Sequence, residues 1–236
     1  MRMIRGQWSR AMVMTILCGL GLPNAAKAQE PAPGNFRPLV EIRTVLGTMV
    51  VALYNETPLH RDLFLAKVEA GDYDSLLFHR VVPGFAVEGG DPASKHAAAG
   101  LQLGLDTDTV GTPLEVVPGL IHKKGALAAA PAGDTPETAR RSHGSRFYIV
   151  QGVPYDATEL AQVAERNARH GTPFGYTEED RHTYAELGGQ PRLDGGYTVF
   201  GEVVEGLEVI DALIKEPCNL WDRPLTDIRM FMRVLK

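Results

Sequence analysis

Residues 78–91, F-H-R-V-V-P-G-F-A-V-E-G-G-D, constrain this chain more than any other stretch. One arginine, Arg80, stands beside an apolar alternation that ends in Gly89-Gly90-Asp91. No Lys-Ser/Thr opening a helix follows the glycines, so they read as a β-turn rather than a phosphate loop. The same punctuation recurs downstream. Between Gly/Pro breaks the sequence predicts short strands around residues 79–88, 125–130, 146–151, 197–204 and 227–235. Upstream, Val40 and Ile42 alternate with Glu41 and Arg43, Leu46-Gly47 marks a turn, and residues 49–54 return, which predicts a hairpin.

Two helices are predicted beside these strands. Thr57 is the expected N-cap of the first, with Pro58 at its opening position, where a missing N–H costs nothing. Leu59, Leu63, Phe64, Ala66 and Val68 supply its apolar face, and Gly71 sits where a left-handed C-cap residue belongs. The second, roughly 206–214, uses Leu207, Ile210 and Leu213. Many short strands with two helices favour a closed antiparallel β-barrel, which removes its own edges. Residues 155–190 break the rhythm. Their two helix-like runs, 159–168 and 178–187, are charged and poor in β-branched residues, so a solvated helical insertion on a barrel loop is expected.

The N-terminus reads separately. Arg2, Arg5 and Arg10 precede an apolar run from Ala11 to Leu22, and Ala26-Lys27-Ala28 follows. A basic segment, a short apolar run and an A-x-A site predict a secretory signal peptide over 1–28, a tether over 29–37 and one domain over 38–236. The apolar run is short for a bilayer span, so no stable membrane insertion is expected after cleavage. Cys18 raises a lipoprotein alternative, but Leu17 precedes it where a lipobox wants a small residue. Setting 1–28 aside removes four basic and no acidic side chains. The balance then moves from 24 basic against 29 acidic to 20 against 29, a formal charge of −9. That excess of acid argues against a nucleic-acid partner. Cys218 is then the sole cysteine, so no internal disulfide is expected and the core alone must hold the fold. The seven histidines form no recognisable ligand spacing with Cys, Asp or Glu, so neither metal nor cofactor is expected.

Four separated stretches together resemble the cyclophilins, the peptidyl-prolyl cis/trans isomerases. They are residues 78–91, G-A-L-A-A-A at 125–130, G-S-R-F-Y-I at 144–149 and L-D-G-G-Y-T-V-F-G-E-V at 193–203. Order and framework glycines agree over about residues 38–236. The insertion, and H-K-K-G-A-L-A-A-A at 122–130, are similar to an exported bacterial subgroup. The resemblance implies a mainly β fold, an eight-stranded closed antiparallel barrel capped by two α-helices, acting on proline-containing polypeptides; a monomer is expected. It places Arg80 at the catalytic position and Phe85, Tyr148 and Leu193 around the proline pocket. Ala86 and Ala130 fall on its walls, and Tyr197 stands where a histidine often closes the pocket. His79, which precedes the arginine as in the family, and Glu88 complete the expected substrate-binding set.

Several positions depart from that pattern. Glu88 replaces a glutamine that orients the arginine; a carboxylate holds Arg80 more firmly and partly neutralises its field. Ala86, where methionine is common, widens the pocket mouth. Pro131 removes a backbone donor where asparagine is common. Arg192 stands where some members carry a tryptophan, so tight binding of cyclosporin is not expected. These departures keep a second reading open: a cyclophilin-fold module that grips proline-containing segments with little turnover. Tyr148 and Phe85 as plain barrel core, and the insertion as a partner-docking surface, are further alternatives.

Overall fold

A computed structural model describes residues 36–236, apart from 109, 136, 137 and 139. The expected signal peptide, Cys18 and most of the tether lie outside the described residues. Nine strands form one antiparallel sheet: β1 (Leu39–Thr44), β2 (Gly47–Leu53), β3 (Phe78–Val82), β4 (Ala86–Gly89), β5 (Thr112–Pro113), β6 (Ala126–Pro131), β7 (Arg141–Val150), β8 (Val199–Glu205) and β9 (Phe231–Leu235). Their order is β3-β4-β7-β6-β8-β2-β1-β9, with the two-residue β5 alongside β7. The outer strands meet through backbone rather than a full ladder. Ser75 N donates to Met230 O, Met230 N to Leu76 O and Phe78 N to Ile228 O, at 2.8–3.0 Å. These bonds bring the sheet round on itself, the route by which a barrel disposes of its edges.

The alternation read in the first hairpin is the one observed. Val40 and Ile42 face inward on β1, paired with Val51 and Met49 of β2. Gly47 has φ +143°, and a Cβ there would lie 2.7 Å from Val209 Cγ2, so the turn needs glycine. The run expected as one strand over 79–88 is two strands, because Pro83-Gly84 turns the chain and Val82 pairs back to Ala86. The final strand is shorter than expected, with residues 228–230 making only the closing bonds.

Helix α1 (Pro58–Glu69) packs on β7, β8 and β9, and α4 (Glu208–Ile214) on β2, β3 and β4, so they cover different parts of the rim. Phe64 and Val68 of α1 and Val209, Ile210 and Leu213 of α4 join the strands in one apolar core. Phe147 is its hub, with its ring edge-on to Phe64 and Tyr73, both centroids 5.7 Å away. The buried line of α1 is His60, Phe64 and Val68, and Leu59 is exposed. Spacing by four puts His60 on the inner stripe, where it stacks on Phe200. The C-terminal expectation holds. Gly71 is left-handed at φ +73°, and its N–H and that of Asp72 return to Val68 O and Lys67 O.

The N-terminal expectation needs correction. Thr57 Oγ1 donates to Tyr54 O and caps nothing. Glu115 does so instead, from 55 residues away. Its carboxylate accepts from Leu59 N at 3.1 Å, His60 N at 3.0 Å and His60 Nδ1 at 2.6 Å. A carboxylate answers two orphan donors where a hydroxyl answers one, and it suits the positive end of the helix.

The insertion also differs from expectation. Helix α2 (Ala157–Arg169) and α3 (Glu178–Glu186) each open with a capping box, from Asp156 with Glu159 and from Thr177 with Asp180. They are not a solvated excursion. Leu160 and Tyr184 are almost fully buried and pack with Ile121, Tyr155, Phe174 and Tyr176 in a separate apolar cluster. The sequence hid this because one α3 tyrosine, rather than an apolar stripe, does the anchoring.

Replacing Glu115 by alanine strips the first turn of α1 of its acceptor and leaves His60 Nδ1 unpaired. Urea unfolding should show a loss of about 1–3 kcal/mol, whereas Thr57→Val should change stability far less.

Candidate active site

The barrel strands have two buried faces. On β7, Phe147 and Ile149 point into the core while Tyr148 and Val150 point outward. On β6, Leu127 and Ala129 point in while Ala126, Ala128 and Ala130 point out. The register links Arg80 to Glu88, Glu88 to Tyr148 and Tyr148 to Ala128, so four strands present one row of side chains on the outer face. Alanines on β4 and β6 keep this face low. Phe85, Leu120 and Leu193 pack against it from the loops. The ring of Phe85 lies nearly parallel to that of Tyr148, centroids 6.5 Å apart.

Arg80 sits at the rim of this apolar patch, 39% of its side chain exposed. Its Nη1 donates to Glu88 Oε1 at 2.7 Å, and its Nε lies 3.4 Å from Asp222 Oδ2. Its guanidinium carbon stands 5.9 Å from the centroid of Phe85. Nη2 has no partner among the described residues. Two nitrogens of the guanidinium therefore face carboxylates, and the third is open among the described residues. Asp222 was not legible in the sequence. It follows Leu220-Trp221 in the loop before β9, and the loop is tied to β3 by Val81 N donating to Asp222 O at 2.8 Å. A positive φ of +58° at Asp222 is tolerable for a short polar side chain.

Beyond Arg80 opens a groove of about 490 Å³. Glu88, Ala130, Pro131 and Asp134 line one side, Leu220, Trp221 and Asp222 another, and residues 102–107 a third. Arg146 holds that last loop by donating to Gly104 O and Asp106 O at 2.6 and 2.8 Å. Asp91 holds it too, accepting from Gly104 N at 2.7 Å. Gly90, left-handed at φ +84°, lies so close to Ser145 O that a Cβ would fall 2.3 Å from it. The Gly-Gly-Asp motif thus serves close packing and a loop anchor.

Phe85, Ala86, Ala130, Tyr148 and Leu193 come together in one cluster. Tyr197 is near enough to raise the Tyr148 phenol electrostatically, after the larger effect of burial. His79 takes another place. It is buried behind the row, under Gly104, and neither ring nitrogen has a partner of good geometry among the described residues. Burial pulls its pKa down to about 4, against the pull of Asp91 in the other direction.

Sequence reasoning missed the polar chain behind Tyr148. Asp194 Oδ1 accepts from His122 N and from His122 Nδ1, at 2.9 and 2.7 Å. That fixes the proton on Nδ1 and leaves Nε2 to accept from the Tyr148 hydroxyl at 2.9 Å. Asp194 Oδ2 accepts from the hydroxyls of Tyr184 at 2.5 Å and Tyr176 at 2.8 Å. Burial, then the Asp194 charge, pushes both of those phenols up, so they remain donors. Four donors on a carboxylate that is 1% exposed satisfy a charge that could not otherwise be buried. The chain ties the insertion to the ring that floors the patch. His122 lies in the quoted H-K-K-G stretch, but spacing alone does not pair it with Asp194.

A family model described as cyclophilin type peptidyl-prolyl cis-trans isomerase/CLD matches residues 39–233. A Streptococcus pyogenes protein, provisionally named a bifunctional phosphatase/peptidyl-prolyl cis-trans isomerase, is 33% identical over 196 residues. The match covers 81% of this chain but 37% of that protein, so the chain spans little more than a third of its length. A Staphylococcus saprophyticus protein, provisionally named a peptidyl-prolyl cis-trans isomerase, is 33% identical over 168 residues, 70% of this chain and 74% of its own. Among solved structures, a Cryptosporidium parvum cyclophilin type peptidyl-prolyl cis-trans isomerase superposes with a TM-score of 0.58 at 22% identity. It covers 85% of this chain and 99% of its own. A second structure of it, in the presence of the dipeptide Ala-Pro, gives 0.56.

Two measurements probe the geometry. Asp194→Ala should lower the unfolding free energy by about 3–5 kcal/mol, and Tyr184→Phe by about 1–3 kcal/mol. His79 binds a proton in the unfolded chain near its ordinary pKa but only near pH 4 in the fold. Its contribution to stability is therefore complete above about pH 6.5 and declines as pH falls toward 4, by roughly 3 kcal/mol at most. Urea midpoints from pH 7 to 4.5 should drop more steeply for the wild type than for His79→Phe.

Proposed function

The chain belongs to the cyclophilin-type peptidyl-prolyl cis-trans isomerases, and on that premise we propose that it speeds rotation about X–Pro bonds by means of Arg80. Rotation faces a barrier of about 18–20 kcal/mol because the amide is conjugated. Conjugation is lost when the prolyl nitrogen becomes pyramidal, and a hydrogen bond to its freed lone pair stabilises the twisted amide far more than the planar one. The observation that carries this reading is Nη2 of Arg80, which has no partner among the described residues, on an arginine held by Glu88 and Asp222 beside the Phe85–Tyr148 patch. Phe85, Ala86, Ala130, Tyr148 and Leu193 grip the proline ring, and Tyr197 closes the pocket. The groove beyond Arg80 takes the rest of the peptide, with exposed Leu220 and Trp221 as apolar holds.

Two carboxylates on Arg80 moderate this chemistry. Glu88 and Asp222 orient the guanidinium but draw its field away from the prolyl nitrogen. That pairing favours, as the second reading, a module that binds prolyl segments and turns them over slowly.

The proposal extends to clients and place. The basic segment, the apolar run from Ala11 to Leu22 and Ala26-Lys27-Ala28 support export, with the cell envelope of a bacterium as the site of action. Unfolded or extended envelope polypeptides are the clients, and assisting their folding is the role. The protein acts as a monomer without metal or cofactor.

Two-dimensional exchange NMR on a short Ala-Pro peptide tests the reading. Exchange peaks should appear with the protein and fall by roughly a hundredfold in rate with Arg80→Ala. Glu88→Gln should turn over several-fold faster than the wild type; an equal or lower rate would remove the damping argument. Peptide line broadening without faster exchange would favour the binding module.

A further inference from the structure

A second cavity, of about 330 Å³, opens between the end of α2 and the loop that follows Leu193. Among the described residues its lining includes three arginines, Arg140, Arg166 and Arg192, with His170 beside them. No described carboxylate lines it, although acidic side chains outnumber basic ones in the chain, 29 to 24. Arg140, Arg166 and Arg192 make no ion pair and no side-chain hydrogen bond with any described residue. An adjoining cavity shares Arg166 and Arg192 and adds Arg169, and it is also lined by Glu159 of the α2 capping box.

Basic residues at the end of α2 have a simpler use, since they suit the negative end of a helix. That accounts for Arg166, Arg169 and His170. It does not account for Arg140, which precedes β7, or for Arg192, which lies in the loop before β8. Three separate segments bring unpaired guanidinium groups to one concavity, and like charges gathered this way repel each other until an anion enters.

The cavity is also rigid. Asn167, buried at its base, donates from Nδ2 to Pro191 O at 2.9 Å and to Asp194 O at 3.2 Å. Gly195, at φ +78°, packs so tightly that a Cβ would sit 2.7 Å from Thr172 O. A site built before the ligand arrives spends little on ordering. Its position is the last argument. Leu193 packs against the patch beside Arg80 while its neighbours Arg192, Gly195 and Gly196 line the cavity, so one short segment borders both.

We propose that this cavity is a subsite for a carboxylate side chain, a Glu or Asp of the same client polypeptide, a few residues from the proline held beside Arg80. The inference rests on the isomerase reading for its client. Arginine forks bind carboxylates with paired hydrogen bonds, so the subsite selects acidic over amide side chains. It gives an otherwise sequence-tolerant pocket a preference for prolines with an acidic neighbour.

The test uses Ala-Pro peptides carrying a single Glu one, two or three positions before or after the proline, each beside its Gln counterpart. Exchange rates against peptide concentration give KM and kcat, and peptide shift changes on titration give affinity. At one placement the Glu peptide should show a KM about fivefold lower than the Gln peptide at low salt, with the gap closing as salt is added. Arg166→Glu should abolish or reverse that preference, Arg140→Ala should weaken it, and kcat on Gln peptides should stay unchanged in both. Arg140 is exposed and lies outside any helix, so Arg140→Ala should melt like the wild type, while Arg166→Glu should melt slightly lower because it reverses a favourable charge in the last turn of α2. Equal KM for Glu and Gln at every placement, or a preference that survives Arg166→Glu, overturns the subsite. If no peptide exchanges faster, the catalytic reading fails on its own. The titrations still decide the subsite, because a Glu preference in affinity supports it and equal affinities remove it.

Discussion

Both faces of β4, β6 and β7 are covered, and nearly everything else in the molecule follows from that. A strand alternates its side chains, so one face fills the barrel with Val87, Leu127, Phe147 and Ile149 while the other is free to build something else. Here it builds a shallow apolar floor of alanines with one tyrosine. Arg80 reaches that floor because β3 lies at one end of the sheet path, where a long charged side chain can lie over the rim while its strand neighbour Val81 stays in the core. A slip of one residue in the β4–β7 register would either bury Glu88 in the barrel or push Phe147 out. The position of the candidate site is thus fixed by the same pairing that fixes the fold.

The parts of this arrangement that repeat with short period could be read from the amino-acid sequence. Val40 and Ile42, the Gly71 cap and the alanine run at 126–130 announce themselves locally. The cluster of Phe85, Ala86, Ala130, Tyr148 and Leu193 could be named because motif stretches agree in order with a known family. Long-range polar partners could not be read. Glu115 caps a helix from 55 residues away, His122 finds Asp194 across 72, and Asp222 meets Arg80 from the far end of the chain. A carboxylate carries no periodicity, so nothing at Glu115 or Asp222 separates it from the solvated acids around it. His79 shows the reverse case. Its place in a motif suggested contact with substrate, while its burial under Gly104 marks it as packing.

The polar chain through Asp194 also changes how the insertion is understood. Charged helices of low apolar content look dispensable from sequence, and α2 and α3 do present mostly solvated surfaces. The inner contribution of the insertion is small in residue number and large in consequence: Tyr184 of α3 and Tyr176 in the loop before it supply two of the donors that allow Asp194 to remain buried. Asp194 in turn fixes His122, and His122 holds the hydroxyl of Tyr148. A change in α3 therefore has a direct physical route to the floor of the apolar patch, through four hydrogen-bonded side chains.

That route has an evolutionary edge. Once a loop extension supplies the donors for a charge sealed inside a wall, it can no longer be shortened step by step, since each intermediate exposes a carboxylate to an apolar cluster. Losing the helices would demand a simultaneous change at Asp194 or His122. The insertion is entrenched by two hydroxyl groups, and its outer surface is left free to diversify over a foundation that cannot be withdrawn.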